Sequence, residues 1–256
     1  AALDNGLRKW IKPSGAIRSL NHPLIQNHGW KGYGTLLSEL DVLEVWQCPA
    51  MSRHKTANEG TLALWSELWN AGYRIPGIGG SDTHYFPDEP FEPGDPPQWI
   101  GDPLTCVLAD RLSAEAILEG VRQRRVYVTR GPHIDCVFQA GGRRFTIGGD
   151  LTSAVRQSSG PIAARATVKG AAGGSLSLIV NGAELERRKI ASDDHCEEFE
   201  LDWYGLQYAW ARFDCRAADG RLLAVTNPVY CGRRDPDIFT WKQLLSRLDP
   251  EFTRHV

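Results

Sequence analysis

The chain has 256 residues, 42% of them hydrophobic and 23% charged, and a formal net charge of −2. This is an ordinary globular composition, long enough for one large or two modest domains. The absence of a basic stripe speaks against a nucleic-acid partner. No apolar run approaches about 18 residues, so no membrane-spanning helix is expected. The six cysteines form no Cys-x-x-Cys pair, which excludes a zinc knuckle; their wide spacing permits disulfides without requiring them. The sequence opens Ala1-Ala2-Leu3 with no signal-peptide pattern and is read as a fragment or a trimmed product.

Two regions of different character meet near residue 140. In the first, Ala16–Leu20 reads as a strand ending at Asn21-His22-Pro23. Asp41–Trp46 is a second strand, apolar on both faces as if covered by helices. Over residues 57–71, Leu62, Trp65, Leu68 and Trp69 recur at helical spacing, and Gly72 stands where a C-terminal cap belongs. Residues 75–80 form a third strand. The segment 85–99, with five prolines and several acids, reads as an irregular loop that could lid a cleft. Leu104–Ala109 is a strand, Ser113 caps a helix carrying Ile117, Leu118 and Val121, and Arg125–Thr129 is a strand again. This alternation predicts an α/β fold with a parallel sheet or barrel.

In the second region, residues 162–168, 175–180, 184–190, 197–202, 208–216 and 221–226 read as strands. Asn181-Gly182 and Asp219-Gly220 are hairpin-turn dipeptides, because both turn positions favour residues that tolerate positive φ. So many short strands predict an antiparallel β-sandwich. A final helix over about 238–248, with Ile238, Trp241, Leu245 and Leu248 on one stripe, should dock on the body. The expected organisation is 1–140, 141–232 and a C-terminal helix and tail over 233–256.

The chemistry concentrates at Ile78-Gly79-Gly80-Ser81-Asp82-Thr83-His84. Alternate residues of an extended strand share a side, so Asp82 and His84 can address one ion. Carboxylate with imidazole suits Zn, Mn or Fe better than Ca or Mg. His22, Asp82 and His84 all follow predicted strands, and parallel α/β sheets build sites at those carboxyl ends. Glu44 lies inside a strand expected to be buried, so it needs a partner: a cation near the strand end, or an arginine. His28, His54 and His133 read more simply as solvated or structural histidines. No phosphate-binding loop, dinucleotide fingerprint or nucleophile elbow is present.

Asn21-His22-Pro23, Leu43-Glu44-Val45-Trp46 and Gly79–His84, in that order, resemble the later motifs of the PHP (polymerase and histidinol phosphatase) superfamily. Gly101-Asp102-Pro103-Leu104-Thr105, Leu112–Leu118, Arg125–Thr129, Gly131-Pro132 and Thr226–Tyr230 are similar to its carbaryl-hydrolase-like branch. The resemblance, over roughly residues 14–232, implies a distorted (β/α)7 barrel followed by an Ig-like β-sandwich, with divalent metal ions whose bound hydroxide attacks a phosphoester, a carbamate or a related small-molecule ester. By motif position His22, Asp82 and His84 would be metal ligands, and Glu44, matching an acid of the pattern, is the candidate catalytic residue. The family's opening His-x-His strand has no counterpart before His22. The expectation is therefore a partial barrel whose missing strands and ligands come from another chain or segment. The rival readings are a non-catalytic binding or assembly module with a degenerate site, and a glycan-binding sandwich using Trp203, Tyr204 and Trp210.

Overall fold

The computed structural model describes residues 15–49, 51, 54–84, 94, 96–158 and 160–254. Three strands, β1 (Ser19–Leu20), β2 (Val42–Gln47) and β3 (Gly77–Gly80), form a parallel sheet in that order. Two antiparallel sheets follow in the chain. One is ordered β10-β9-β12-β13-β5-β4, with β14 also on β12; its strands are β4 (Leu104–Val107), β5 (Val126–Thr129), β9 (Ser175–Val180), β10 (Ala183–Lys189), β12 (Tyr208–Arg216), β13 (Leu222–Thr226) and β14 (Val229–Gly232). The other is ordered β11-β8-β6-β7, from β6 (His133–Ala140), β7 (Arg143–Phe145), β8 (Ile162–Lys169) and β11 (Asp194–Leu201). The larger sheet thus draws strands from both sides of residue 140.

The central strand β12 of the larger sheet is buried on both faces. Along β12, Ala209, Ala211, Phe213 and Cys215 belong to the core shared with the four-stranded sheet, where they meet Ile134, Phe138 and Phe199. The alternate residues Trp210, Arg212 and Asp214 face the other way, as the two-residue period of a strand requires. There they meet the long helix α1 (Lys55–Asn70): Arg212 donates to Asp214 Oδ1 (2.8 Å) and Ser66 Oγ (3.0 Å) and lies over the Trp65 ring. Leu62, Leu64, Trp65, Leu68 and Trp69 of α1 fill the core between this sheet and the parallel one. At the end of α1, Gly72 takes φ +90°, and Tyr73 N–H returns to Leu68 C=O (2.9 Å), a glycine cap that no L side chain would replace cheaply. The indoles of Trp65 and Trp69 both donate to Ile75 C=O (2.8 and 3.1 Å), which aims the chain into β3.

The expected (β/α)7-type α/β barrel is overturned. Among the described residues three sheets, mostly antiparallel, carry the fold, and the parallel sheet has three strands. The reason lies at the free edge of β3. Gly77 N–H donates to Asn227 Oδ1 and Gly77 C=O accepts from Asn227 Nδ2, both at 2.8 Å. Gly79 N–H donates to Thr105 Oγ1 (2.9 Å), and that hydroxyl donates to Gly79 C=O (2.6 Å). Two side chains satisfy the backbone that a fourth parallel strand would have used. The following strand, β4, is instead half-exposed and pairs antiparallel with β5. The helix between them, α2 (Ala114–Arg122), buries only Gly120, whereas a crossover helix of a parallel sheet would bury its apolar stripe.

Local sequence signals reach their elements more closely. Ser113 caps α2, accepting from Ala116 N–H (3.2 Å). Asn181 and Gly182 both have positive φ at the β9–β10 turn. The short helix α3 (Thr152–Gln157) had no strong signal. The expected helix over 238–248 forms only as the short α4 (Trp241–Leu245), and another short helix, α5 (Pro250–Thr253), lies beyond it. Most of the expected lid, residues 85–93 and 95, lies outside the described residues. Among the described residues no disulfide joins the cysteines.

Candidate functional site

The three parallel strands end together, and each is followed within two residues by a non-glycine residue in the left-handed region: His22 (φ 36°) after β1, Cys48 (φ 38°) after β2 and Asp82 (φ 49°) after β3. Asn27 (φ 68°) makes a fourth. All four line one pocket of about 440 Å³. Left-handed backbone costs an ordinary L residue about 1–2 kcal/mol, so such a concentration is strain held at one place by the surrounding structure.

The same turns bring the sequence-selected residues together. His22, Asp82 and His84 line the pocket. Glu44 lies on the opposite side of β2 from Leu43 and Val45, and the His22 backbone N–H donates to its Oε2 at 2.7 Å. The partner expected for this buried carboxylate is therefore a backbone amide at the tip of the neighbouring strand. Gly80 keeps the approach to Glu44 clear: a Cβ there would sit 3.7 Å from Oε1. Burial pushes the Glu44 carboxyl above its ordinary 4.5; the His22 amide opposes this, and the Asp82 charge adds to it.

His22 Nδ1 lies 3.1 Å from His28 C=O. A carbonyl can only accept, so Nδ1 carries the proton and Nε2 keeps its lone pair. That is the arrangement in which backbone carbonyls orient metal-binding imidazoles. His84 Nε2 lies 3.1 Å from Asp82 Oδ1, so carboxylate and imidazole converge as their spacing predicts. Both are accessible, with side-chain exposures of 69% for His84 and 39% for Asp82.

The donor types suit a divalent transition metal. Their number is another matter: among the described residues no group of three His, Cys, Asp or Glu side chains is placed to hold one ion. The fit is one of kind and not of number, and no step below is routed through a metal.

His28 and His54, read from sequence as bland histidines, line the pocket; His133 does not, and instead meets the Tyr127 ring edge-on at 5.9 Å. Gln47, Cys48, Met51 and Gln98 are lining residues that the motifs did not single out. Gln47 and Cys48 follow the same rule as His22, since they stand at a strand's carboxyl end. The buried amide of Asn58 fixes that end, donating to Gln47 C=O (2.8 Å) and accepting from Gln47 N–H (3.1 Å). The glycan platform fails: Trp203 and Trp210 are buried in the cores, and only Tyr204 presents its ring to solvent.

No family model and no curated protein matches the chain. Among solved structures, a crystal structure of an engineered protein aligns over 76% of this chain and 50% of that one, at 14% identity and a TM-score of 0.24. The chain thus spans about half of that protein's length, and so loose a likeness carries no argument about fold or function.

Proposed function

We propose that this pocket is the reactive site of a metal-dependent hydrolase acting on a small phosphoester, carbamate or related ester. The observation that carries the reading is the gathering of His22, Asp82 and His84 past the ends of the parallel strands, around one strained and accessible pocket, with Glu44 of β2 bonded to the His22 backbone. In this reading His22 and the Asp82–His84 pair would contribute donors to a Zn, Mn or Fe site completed by donors from outside the described residues. The ion would supply a water whose pKa is lowered toward about 7. His22, its Nδ1 proton committed to His28 C=O, offers Nε2 as a ligand. Asp82 and His84 offer two donors in contact at the solvent-facing rim. Glu44, raised by burial and adjoining Asp82, is the candidate general acid or base, able to exchange a proton nearer neutrality than a solvated glutamate.

The test is hydrolysis of p-nitrophenyl acetate and bis(p-nitrophenyl) phosphate with Zn²⁺, Mn²⁺ or Fe²⁺ supplied. Turnover by the wild-type chain should fall to background in Asp82→Ala and His84→Ala variants that remain folded. Turnover unchanged in either variant would end the reading. No wild-type turnover with any of the ions would favour the second reading, a binding module with a degenerate site, which the lack of a three-donor cluster among the described residues supports.

A further inference from the structure

We propose a second binding site, for a small oxyanion, at the opposite end of the parallel sheet. The turns that enter β1, β2 and β3 enclose a cavity of about 450 Å³ whose walls carry three guanidiniums: Arg74, Arg122 and Arg124. Arg74 lies in the turn between α1 and β3. Arg122 ends α2, and Arg124 occupies the following turn with φ 62°. Arg74 and Arg124 both sit over the Tyr230 ring, at 4.0 and 5.4 Å from its centroid, so one ring holds two like charges close together.

The chain neutralises them only in part. Among the described residues neither Arg74 nor Arg124 makes an ion pair, while Arg122 pairs with Glu119 of its own helix at 3.9 Å. The acid in the cavity wall, Asp41, is taken by Arg18, whose Nε and Nη2 donate to its two oxygens at 2.7 and 3.0 Å. What the arginines meet instead are neutral acceptors: Arg74 donates to Gly232 C=O (2.5 Å), Arg122 to Gly15 C=O (2.5 Å) and Arg124 to Tyr230 Oη (3.4 Å). These contacts fix the guanidiniums in place and leave most of their N–H groups uncommitted. Arg124 Nε is buried with no hydrogen-bond partner.

Several guanidiniums around one cavity, two of them without a carboxylate partner, are the chemistry that binds planar or tetrahedral oxyanions, because each can donate two parallel N–H bonds to phosphate or carboxylate. The alternative, that the arginines serve only as packing on Tyr230, explains Arg74 but leaves the buried Arg124 Nε without a partner. The site lies away from the proposed reactive pocket and needs no metal, so the two readings stand or fall separately.

The test is calorimetric titration of the whole chain with inorganic phosphate and, separately, with malonate, against chloride at matched ionic strength. Saturable binding of phosphate, malonate or both is expected, the preferred anion defining the class. Losing a charge-assisted contact should weaken that binding about tenfold or more in Arg122→Gln and in Arg124→Gln. Arg122 is half-exposed, so its variant carries the test even if Arg124→Gln fails to fold. No saturable binding of either anion, or unchanged affinity in folded Arg122→Gln, overturns the proposal.

Discussion

Replacing Asn227 with alanine should separate the parallel sheet from the rest of the fold. This side chain is 2% exposed and makes three hydrogen bonds, two to Gly77 and one to Val126 C=O (3.0 Å). Val126 C=O keeps a second donor, the Asn227 backbone N–H at 2.9 Å, so it survives the change. Gly77 does not: its N–H and C=O both lose their partner on that edge, in the interior. A buried group left unsatisfied costs about 1–3 kcal/mol, so two predict a loss of about 2–6 kcal/mol. Against a typical total of about 5–15 kcal/mol, that is a large fraction of the stability. Guanidinium unfolding should show the midpoint falling with the slope unchanged. Asn227→Asp is a second probe. It keeps an acceptor for Gly77 N–H, but sets a buried charge against two carbonyl oxygens. Its pKa is raised in the folded state, so its stability should fall further as pH rises above the ordinary carboxylate range. A loss below about 1 kcal/mol for Asn227→Ala would refute the claim that one side chain stands in for a missing strand.

The neighbouring glycines should respond unequally. A Cβ on Gly79 would meet Val128 Cγ1 at 2.5 Å and Trp46 C=O at 2.7 Å, so Gly79→Ala should cost about 1–3 kcal/mol in thermal or chemical unfolding. Gly80→Ala meets nothing nearer than 3.7 Å and should leave the fold within about 0.5 kcal/mol of wild type; equal losses would contradict the packing described. Glu44 gives a pH signature. Its carboxyl is raised on folding, so above the ordinary value of 4.5 the folded state holds the proton more tightly than the unfolded state, and stability declines as pH rises through that window. Glu44→Gln keeps an acceptor for His22 N–H without the charge. It should be more stable than wild type at neutral pH, with the advantage shrinking toward pH 4.5; an advantage that grows on acidification would reverse the assigned sign.

Much of the local structure is legible because it depends on near neighbours. Leu62, Trp65, Leu68 and Trp69 announce α1, Gly72 announces its end, and Val42–Gln47 contains most of the strand expected at Asp41–Trp46. Strand direction is not legible in the same way. The alternation of β3, β4, α2 and β5 is compatible with parallel or antiparallel neighbours. The choice is made by residues far along the chain, Asn227 at the β3 edge and β13 pairing with β5. A similar distance effect hides why β12 is buried along nearly its whole length: its two faces serve different cores, one under the four-stranded sheet and one under α1. At the site, Asp82 and His84 meet because their spacing is local. Gln47, Cys48 and Gln98 escaped notice because amides and a lone thiol carry no motif, although the position of Gln47 and Cys48 just past β2 was available as a signal. The arginine cavity escaped for the opposite reason. Its arginines come from two distant places, Arg74 before β3 and Arg122 with Arg124 at the end of α2, and only the fold brings them to one cavity.

The most direct measurement is the divalent metal content of the purified chain by elemental analysis, for wild type and for folded Asp82→Ala and His84→Ala, after loading with Zn²⁺, Mn²⁺ or Fe²⁺ and desalting. The hydrolase reading expects metal to stay with the wild type and to be lost from both variants. Metal absent from the wild type, or retained equally by all three, would contradict it.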